Sequence, residues 1–289
     1  MNHEHKHEKF FSDLLTHKPD LQEDALFGLE LEGVETHTRK DESTLPEPER
    51  KRFINTIRKM IQEGSYQRIA TIHANMQHNM HGSMGRLGLN RFLAWHRRYL
   101  LAFEQELQRT DAQIMGEQSS SLSIPYWRWS VSQEFPQWLE ELLPAFGHNG
   151  PNSPIVPREA GLGTLPMQAD VEAILNDYAT RSGLGNEVRD YEKFTYCLEG
   201  WADNLPGHNH VHSWVGGVMN NTSYSPADPI FWLHHCEIDR IWWIWQQSHN
   251  NNHPPFDRNR LQLDPWTESN YYTVLDLPAI GYEYESILP

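Results

Sequence analysis

The chain has 289 residues, 38% hydrophobic and 22% charged without a long low-complexity run, which fits one enzyme-sized globular domain and excludes a disordered or fibrous protein. A formal net charge of −15 excludes binding to a phosphate backbone, which needs clustered Lys and Arg, so no nucleic-acid partner is expected. No run approaches the roughly 18 apolar residues of a membrane span, and the opening MNHEHKHEKFF lacks the apolar stretch of a signal peptide, so no membrane association and a cytoplasmic location are expected.

Residues 1–45 are polar, carry charge runs and show no sustained period, which predicts an N-terminal arm whose leading HEHKH is a solvated tail. From Pro46 the pattern changes. LPEPERKRFINTIRKMIQEG places Pro and Glu in a first helical turn, sets Phe53, Ile54, Ile57, Met60 and Ile61 on one face, and closes at Gly64. A second helix is predicted over SYQRIATIHANM, with His73 on the apolar face beside Ile69, Ile72 and Met76. In RFLAWHRRYLLAFEQELQR, Phe92, Trp95, His96, Tyr99, Leu100, Phe103 and Leu107 follow the 3.6-residue period, so His96 also lies inside an apolar stripe.

Between about Ser119 and Thr195 the chain is rich in Pro, Gly and Ser, and few regular elements are expected there. Helical pattern returns at HNHVHSWVGGVM and at DPIFWLHHCEIDRIWWIWQQS, where Asp228 and Pro229 are read as N-cap and first helical residue. Phe231, His235, Ile238, Trp242 and Trp245 share a face of the latter. The segment 251–289 has no helical period and is expected to wrap the surface of a single domain that begins at residue 46, with its core over about 46–250.

Two cysteines, Cys197 and Cys236, are too few for a disulfide framework and read as buried thiols, whereas 17 His is a high count. A neutral imidazole buried among Ile, Phe and Trp needs partners for both ring nitrogens, and a shared metal satisfies one nitrogen on every ring. His208 and His212 stand one helical turn apart and can reach one ion from the same face, while His210 lies opposite. Either His234 or His235 can complete the set, and the helical stripe favours His235. A second set draws on His73, His96 and one of His78 and His81 from the connecting segment HANMQHNMHGSMGRLGLN. Imidazole-only sets suit copper and also zinc.

Taken together, MHGS, FLAWHRRYLLAFE, PYWRW, HNHVHSWVGG and DPIFWLHHCEIDRIWWIWQ resemble the tyrosinase family of type 3 copper proteins, in order from about Leu45 to Trp245, with a further echo at GYEYES. The resemblance implies a mainly α fold in which a central four-helix bundle carries a dinuclear copper site, with long loops and few short strands. It implies two copper ions with O2 as co-substrate, one ion held by His73, His81 and His96 and the other by His208, His212 and His235. His81 precedes His96 by fifteen residues, more than is usual in the family, because MGRLGLN stands where a single residue is common. Some eukaryotic members tie this second histidine to a cysteine two residues earlier; here that position is Asn79, as in the bacterial type.

The resemblance also implies that Glu199 and Asn209 orient a water able to deprotonate a phenol. Phe231 matches an aromatic expected over the substrate position. Met219, Thr222 and Ser225 are expected at the mouth, with Ser213 at a position tied to specificity. Asp239, one turn after His235, is expected to accept a ring N–H from a ligand imidazole. The expected activity is oxidation of monophenols and o-diphenols to o-quinones. A catechol or o-aminophenol oxidase, or a haemocyanin-like oxygen carrier, is the alternative. Phenolic small molecules are the expected partners, with a copper-delivery protein, which in some relatives also carries the export signal, and a homodimer as further expectations.

Overall fold

A computed structural model describes residues 36–249, 253–254 and 261–288. The leading HEHKH and most of the expected arm lie outside the described residues, but the arm ends earlier than its polarity suggests. His37–Arg39 form β1, and the Arg39 side chain is fully buried. Charged residues hid this strand from a hydrophobicity pattern, because its burial rests on ion pairs rather than on apolar contact.

Helix α1 (Glu47–Glu63) begins with Pro48 in its first turn, buries Phe53, Ile54, Ile57 and Met60, and ends at Gly64, whose φ of 78° is the left-handed conformation that terminates a helix. The next element is shorter than its period suggests. Helix α2 covers only Ser65–Ala70 and continues as a 3₁₀ turn over Thr71–Ala74 that carries His73. A 3₁₀ turn rotates successive side chains further than an α-helix does, and His73 stays buried through it.

Helix α3 is the axis of the molecule and runs from Arg86 to Met115. Its start lies five residues before the expected one, because RLGLN, read as an insertion in a loop, is the helix's own first turns. The short α4 (Trp129–Ser132), α5 (Gln168–Asn176) and α6 (Tyr178–Arg181) follow.

Helix α7 (Asp190–Glu199) was not expected, since its segment falls where few regular elements were read. Every residue from Tyr191 to Glu199 is buried, Glu192, Lys193 and Glu199 included, so the helix has no polar face to create an amphipathic signal. Helix α8 (His208–Val215) and helix α9 (Ile230–Ser248) match the remaining helical patterns. Asp228 accepts the Ile230 N–H at 3.1 Å as a cap, and its carboxylate also takes a bidentate pair from Arg158 at 2.7 Å.

α3 packs against α1, α7 and α9, which makes the four-helix core. The described part of the C-terminal segment packs on α3 and contains strand structure. β2 (Gln262–Leu263) and β3 (Trp266–Asn270) pair antiparallel, and β4 (Tyr282–Tyr284) pairs parallel with β1 in the register His37 to Tyr282. Among the described residues no helix is long and apolar enough to cross a membrane.

Candidate metal centre

Seven imidazoles converge in the core as a set of three, His73, His81 and His96, and a set of four, His208, His212, His234 and His235, of which three make close contacts. In the first, His73 Nε2 lies 3.3 Å from His96 Nε2 and 3.2 Å from His81 Nε2. In the second, His208 Nε2 lies 3.2 Å from His235 Nε2 and 3.0 Å from His212 Nε2, with His212 and His235 3.4 Å apart. The sets abut: the His96 and His235 rings stack at 4.4 Å with 17° between their planes. Two of the bundle helices, α3 and α9, supply one ligand each. The short α8 supplies two, and the 3₁₀ turn and the loop after it supply His73 and His81.

The hydrogen bonds on the far side of the rings settle what the Nε2 atoms present. His96 Nδ1 donates to the Phe92 carbonyl at 2.8 Å, and His212 Nδ1 donates to the Met219 carbonyl at 2.8 Å. A neutral imidazole protonated on Nδ1 carries a lone pair on Nε2. Burial, with the neighbouring imidazoles adding to it, pushes His73, His96, His208 and His235 well below the ordinary histidine range. Burial lowers His212 to about 4 despite its bond to the Met219 carbonyl. These five rings are therefore neutral, and His96 and His212 each turn an Nε2 lone pair towards the neighbouring imidazole nitrogens about 3 Å away. Nitrogens about 2.0 Å from a tetrahedral ion stand about 3.3 Å apart, which matches the observed spacing. The donor set fits copper: neutral, imidazole-only and without thiolate or carboxylate.

His81, not His78, joins the first set. His78 instead stacks on Trp95 at 5.9 Å, and its carbonyl accepts from Arg91 at 2.9 Å. The helical extension that displaced His81 in sequence supports it in space. A Cβ on Gly88 would stand 2.0 Å from the His81 carbonyl oxygen, so only glycine lets α3 lie against this loop. The extension is pinned to α7 as well: Arg86 donates to both Glu192 oxygens at 2.6 and 2.9 Å, and Asn90 Nδ2 donates to Glu192 at 2.9 Å. Gly207 plays a similar part for the second set, since a Cβ there would meet the Leu198 carbonyl at 2.6 Å where α8 approaches α7.

A cavity of about 280 Å³ opens onto both sets. Glu199, Asn209, Ser213, Met219, Thr222 and Ser225 all line it. Glu199 is buried at the end of α7, and both of its oxygens accept the Gly82 N–H, at 2.8 and 3.1 Å. Asn209 Oδ1 lies 3.0 Å from His208 Nδ1. Ser83, Trp201 and Asn220 line the same cavity and were not singled out, although Ser83 closes the MHGS motif and Trp201 follows Glu199 by two residues.

Two expectations are corrected. Phe231 does not line the cavity; it is wholly buried, stacked on His235 at 4.0 Å and set edge-on to His73 at 5.4 Å, so it packs between the two histidine sets. Asp239 does not hold a ligand imidazole. Its carboxylate accepts from Arg97 at 2.5 Å, from Tyr282 and Tyr284 at 2.6 Å each, and from Arg39 at 3.4 Å. One turn along a helix carries Asp239 past the ring of His235 and onto the face that meets β1, β4 and α3. The GYEYES segment supplies both tyrosines of that network.

The sequence pattern of a known family covers this architecture. The family described as "Common central domain of tyrosinase" matches residues 63–156 and 157–248. The tyrosinase of Streptomyces glaucescens is 34% identical over 277 residues, 83% of this chain and 96% of that protein. Grixazone synthase of Streptomyces griseus is 29% identical over 269 residues, 74% and 85% of the two chains. Among solved structures, deoxygenated hemocyanin from Rapana thomasiana shares the fold at a TM-score of 0.63 and 22% identity, over 89% of this chain and 71% of that one. The chain belongs to the tyrosinase family, the type 3 dicopper proteins.

Proposed function

We propose that this dicopper oxidase hydroxylates monophenols and oxidises o-diphenols to o-quinones. The observation that carries the reading is the placement of Glu199 and Asn209 on the wall of the cavity that opens onto both histidine sets. Copper, when bound, supplies the two-electron chemistry with dioxygen that imidazole and carboxylate groups cannot perform themselves.

The protein's own groups select and prepare the substrate. A 280 Å³ cavity suits a one-ring phenol better than an extended polymer. With His208 ligating through Nε2, its Nδ1 carries the proton, so Asn209 Oδ1 accepts it and the Asn209 amide NH₂ is left to donate. Glu199, held by the Gly82 N–H, offers a carboxylate on the same wall. A donor and an acceptor facing one space can orient a water, or a phenol hydroxyl, so that its proton passes to Glu199 Oε. The resulting phenolate is the electron-rich ring that ortho-hydroxylation requires. Diphenol oxidation does not need this step to the same degree, because a catechol ionises and gives up electrons more readily.

A catechol or o-aminophenol oxidase that lacks the hydroxylation step is the second reading. Oxygen uptake by the copper-loaded protein on tyrosine and on 3,4-dihydroxyphenylalanine separates the two. We expect uptake on both, and Glu199→Gln to slow the monophenol by about 100-fold while the diphenol changes several-fold at most. A protein with two coppers that consumes oxygen only with the diphenol would sink the monophenol reading, and one that binds oxygen without turnover would favour the carrier.

A further inference from the structure

A fourth buried histidine, His234, stands in the second set, with a ring nitrogen within 4.8 Å of the ligating atoms of His208, His212 and His235. Its ring lies parallel to His208 at 5.1 Å and edge-on to His212 at 5.0 Å. Exposure does not separate it from the other three, since His234 and His235 are both buried to within 1% of full burial, although the 3.0–3.4 Å contacts among the Nε2 atoms join only His208, His212 and His235. The separation comes from a hydrogen bond: Trp129 Nε1 donates to His234 Nδ1 at 3.1 Å.

An indole N–H can only donate. His234 Nδ1 therefore holds no proton and spends its lone pair on Trp129. In a neutral imidazole the proton then sits on Nε2, which is buried and closes no hydrogen bond. Neither nitrogen has a lone pair to give a metal, and ligation through Nε2 would require an imidazolate. This is the reverse of His96 and His212, whose Nδ1 atoms donate to carbonyls and free Nε2.

We propose that Trp129 is a positioning residue that locks the tautomer of His234 and so keeps copper at the second set bound to three imidazoles instead of four. A closed four-ligand site is structural chemistry, whereas a reactive site keeps a position open. Trp129, the second tryptophan of PYWRW, thus preserves the open position from outside the site. The proposal rests on the copper reading above.

The test is X-ray absorption at the copper edge on the copper-loaded protein, with copper counted per chain. Wild type is expected to hold two coppers with three imidazoles each. Trp129→Phe keeps an aromatic ring and removes the donor; the mean is expected to rise by half an imidazole per copper, with diphenol turnover falling about tenfold as the open position closes. Trp129→Phe combined with His234→Phe is expected to return the mean to three. A Trp129→Phe protein with two coppers at three imidazoles each overturns the lock and leaves the copper reading standing. Wild type that holds no copper pair overturns the reading itself. Should Trp129→Phe fail to fold, ¹⁵N NMR of the zinc-loaded wild type decides: an unprotonated His234 Nδ1 supports the lock, and a protonated one overturns it.

Discussion

Individual histidines in this chain have the same chemistry and different jobs, and what distinguishes them is the partner of the second ring nitrogen. His81 and His78 lie three residues apart in one segment, both buried, yet only His81 brings Nε2 within 3.2 Å of His73. His81→Ala is expected to leave a folded protein that retains about one copper per chain, while His78→Ala retains both and loses a little stability from its stacking on Trp95. Copper analysis after dialysis checks this, and equal losses in the two variants would contradict the assignment. Residue by residue, the converging histidines were legible from motif and period taken together, whereas period alone left His78 beside His81 and His234 beside His235. Phe231 and Asp239 were not legible, because a helical period specifies a face but not which of several neighbours that face meets.

At the scale of elements, the N-terminal turns of α3 tie the two sides of the site together. They lengthen the spacing from His81 to His96, lay Gly88 on the His81 carbonyl, and join α7 through Arg86, Asn90 and Glu192. The helix that positions a ligand loop is thereby tied to the helix that ends at Glu199. Gly88→Ala forces a Cβ into a carbonyl oxygen 2.0 Å away, so the loop must move. The expected result is a fold retained by circular dichroism with copper at the first set weakened at least tenfold, since a 1 Å displacement of one of three ligands disrupts the site. Unchanged copper affinity in Gly88→Ala would show that the contact is incidental. The glycine was visible in the sequence, but only the packing of α3 on the loop gives it a purpose.

Across the whole molecule, a buried charge network closes the chain on itself. Arg39 of β1 donates to Glu104 of α3 at 2.8 and 3.1 Å and reaches Asp239 of α9, which also takes Arg97, Tyr282 and Tyr284. Burial would raise Glu104, but Arg39 and His37 overcome it and hold this carboxyl at about 2. Asp239→Asn leaves Arg97 and Arg39 short of charge in the core and is expected to cost about 3–5 kcal/mol, read as a lower midpoint in denaturant; a change under 1 kcal/mol would remove the network from the account of stability. The histidines set a second dependence. Their folded-state pKa values lie below the ordinary 6.5, so below that pH the unfolded chain binds protons that the native core refuses. The metal-free protein should therefore lose stability as pH falls from about 6.5 towards the value of about 4 reached by His212, and a thermal midpoint flat over that range would refute the neutral assignment.

What the sequence determined by itself was the mainly helical class, the buried histidine faces and, through motif order, the family and the histidines that converge in the core. These are local properties: a 3.6-residue period and a fixed motif survive in one dimension. What only the tertiary structure decided was the existence of α7, the burial of β1 and the separate place of His78 against Trp95. The hydrogen bond from Trp129 to His234 belongs with these. Each depends on groups far apart in the chain meeting in a dry interior, where a single indole N–H settles which nitrogen keeps its lone pair. The copper pair is written in the sequence as histidines, and its open coordination is written in the packing around them.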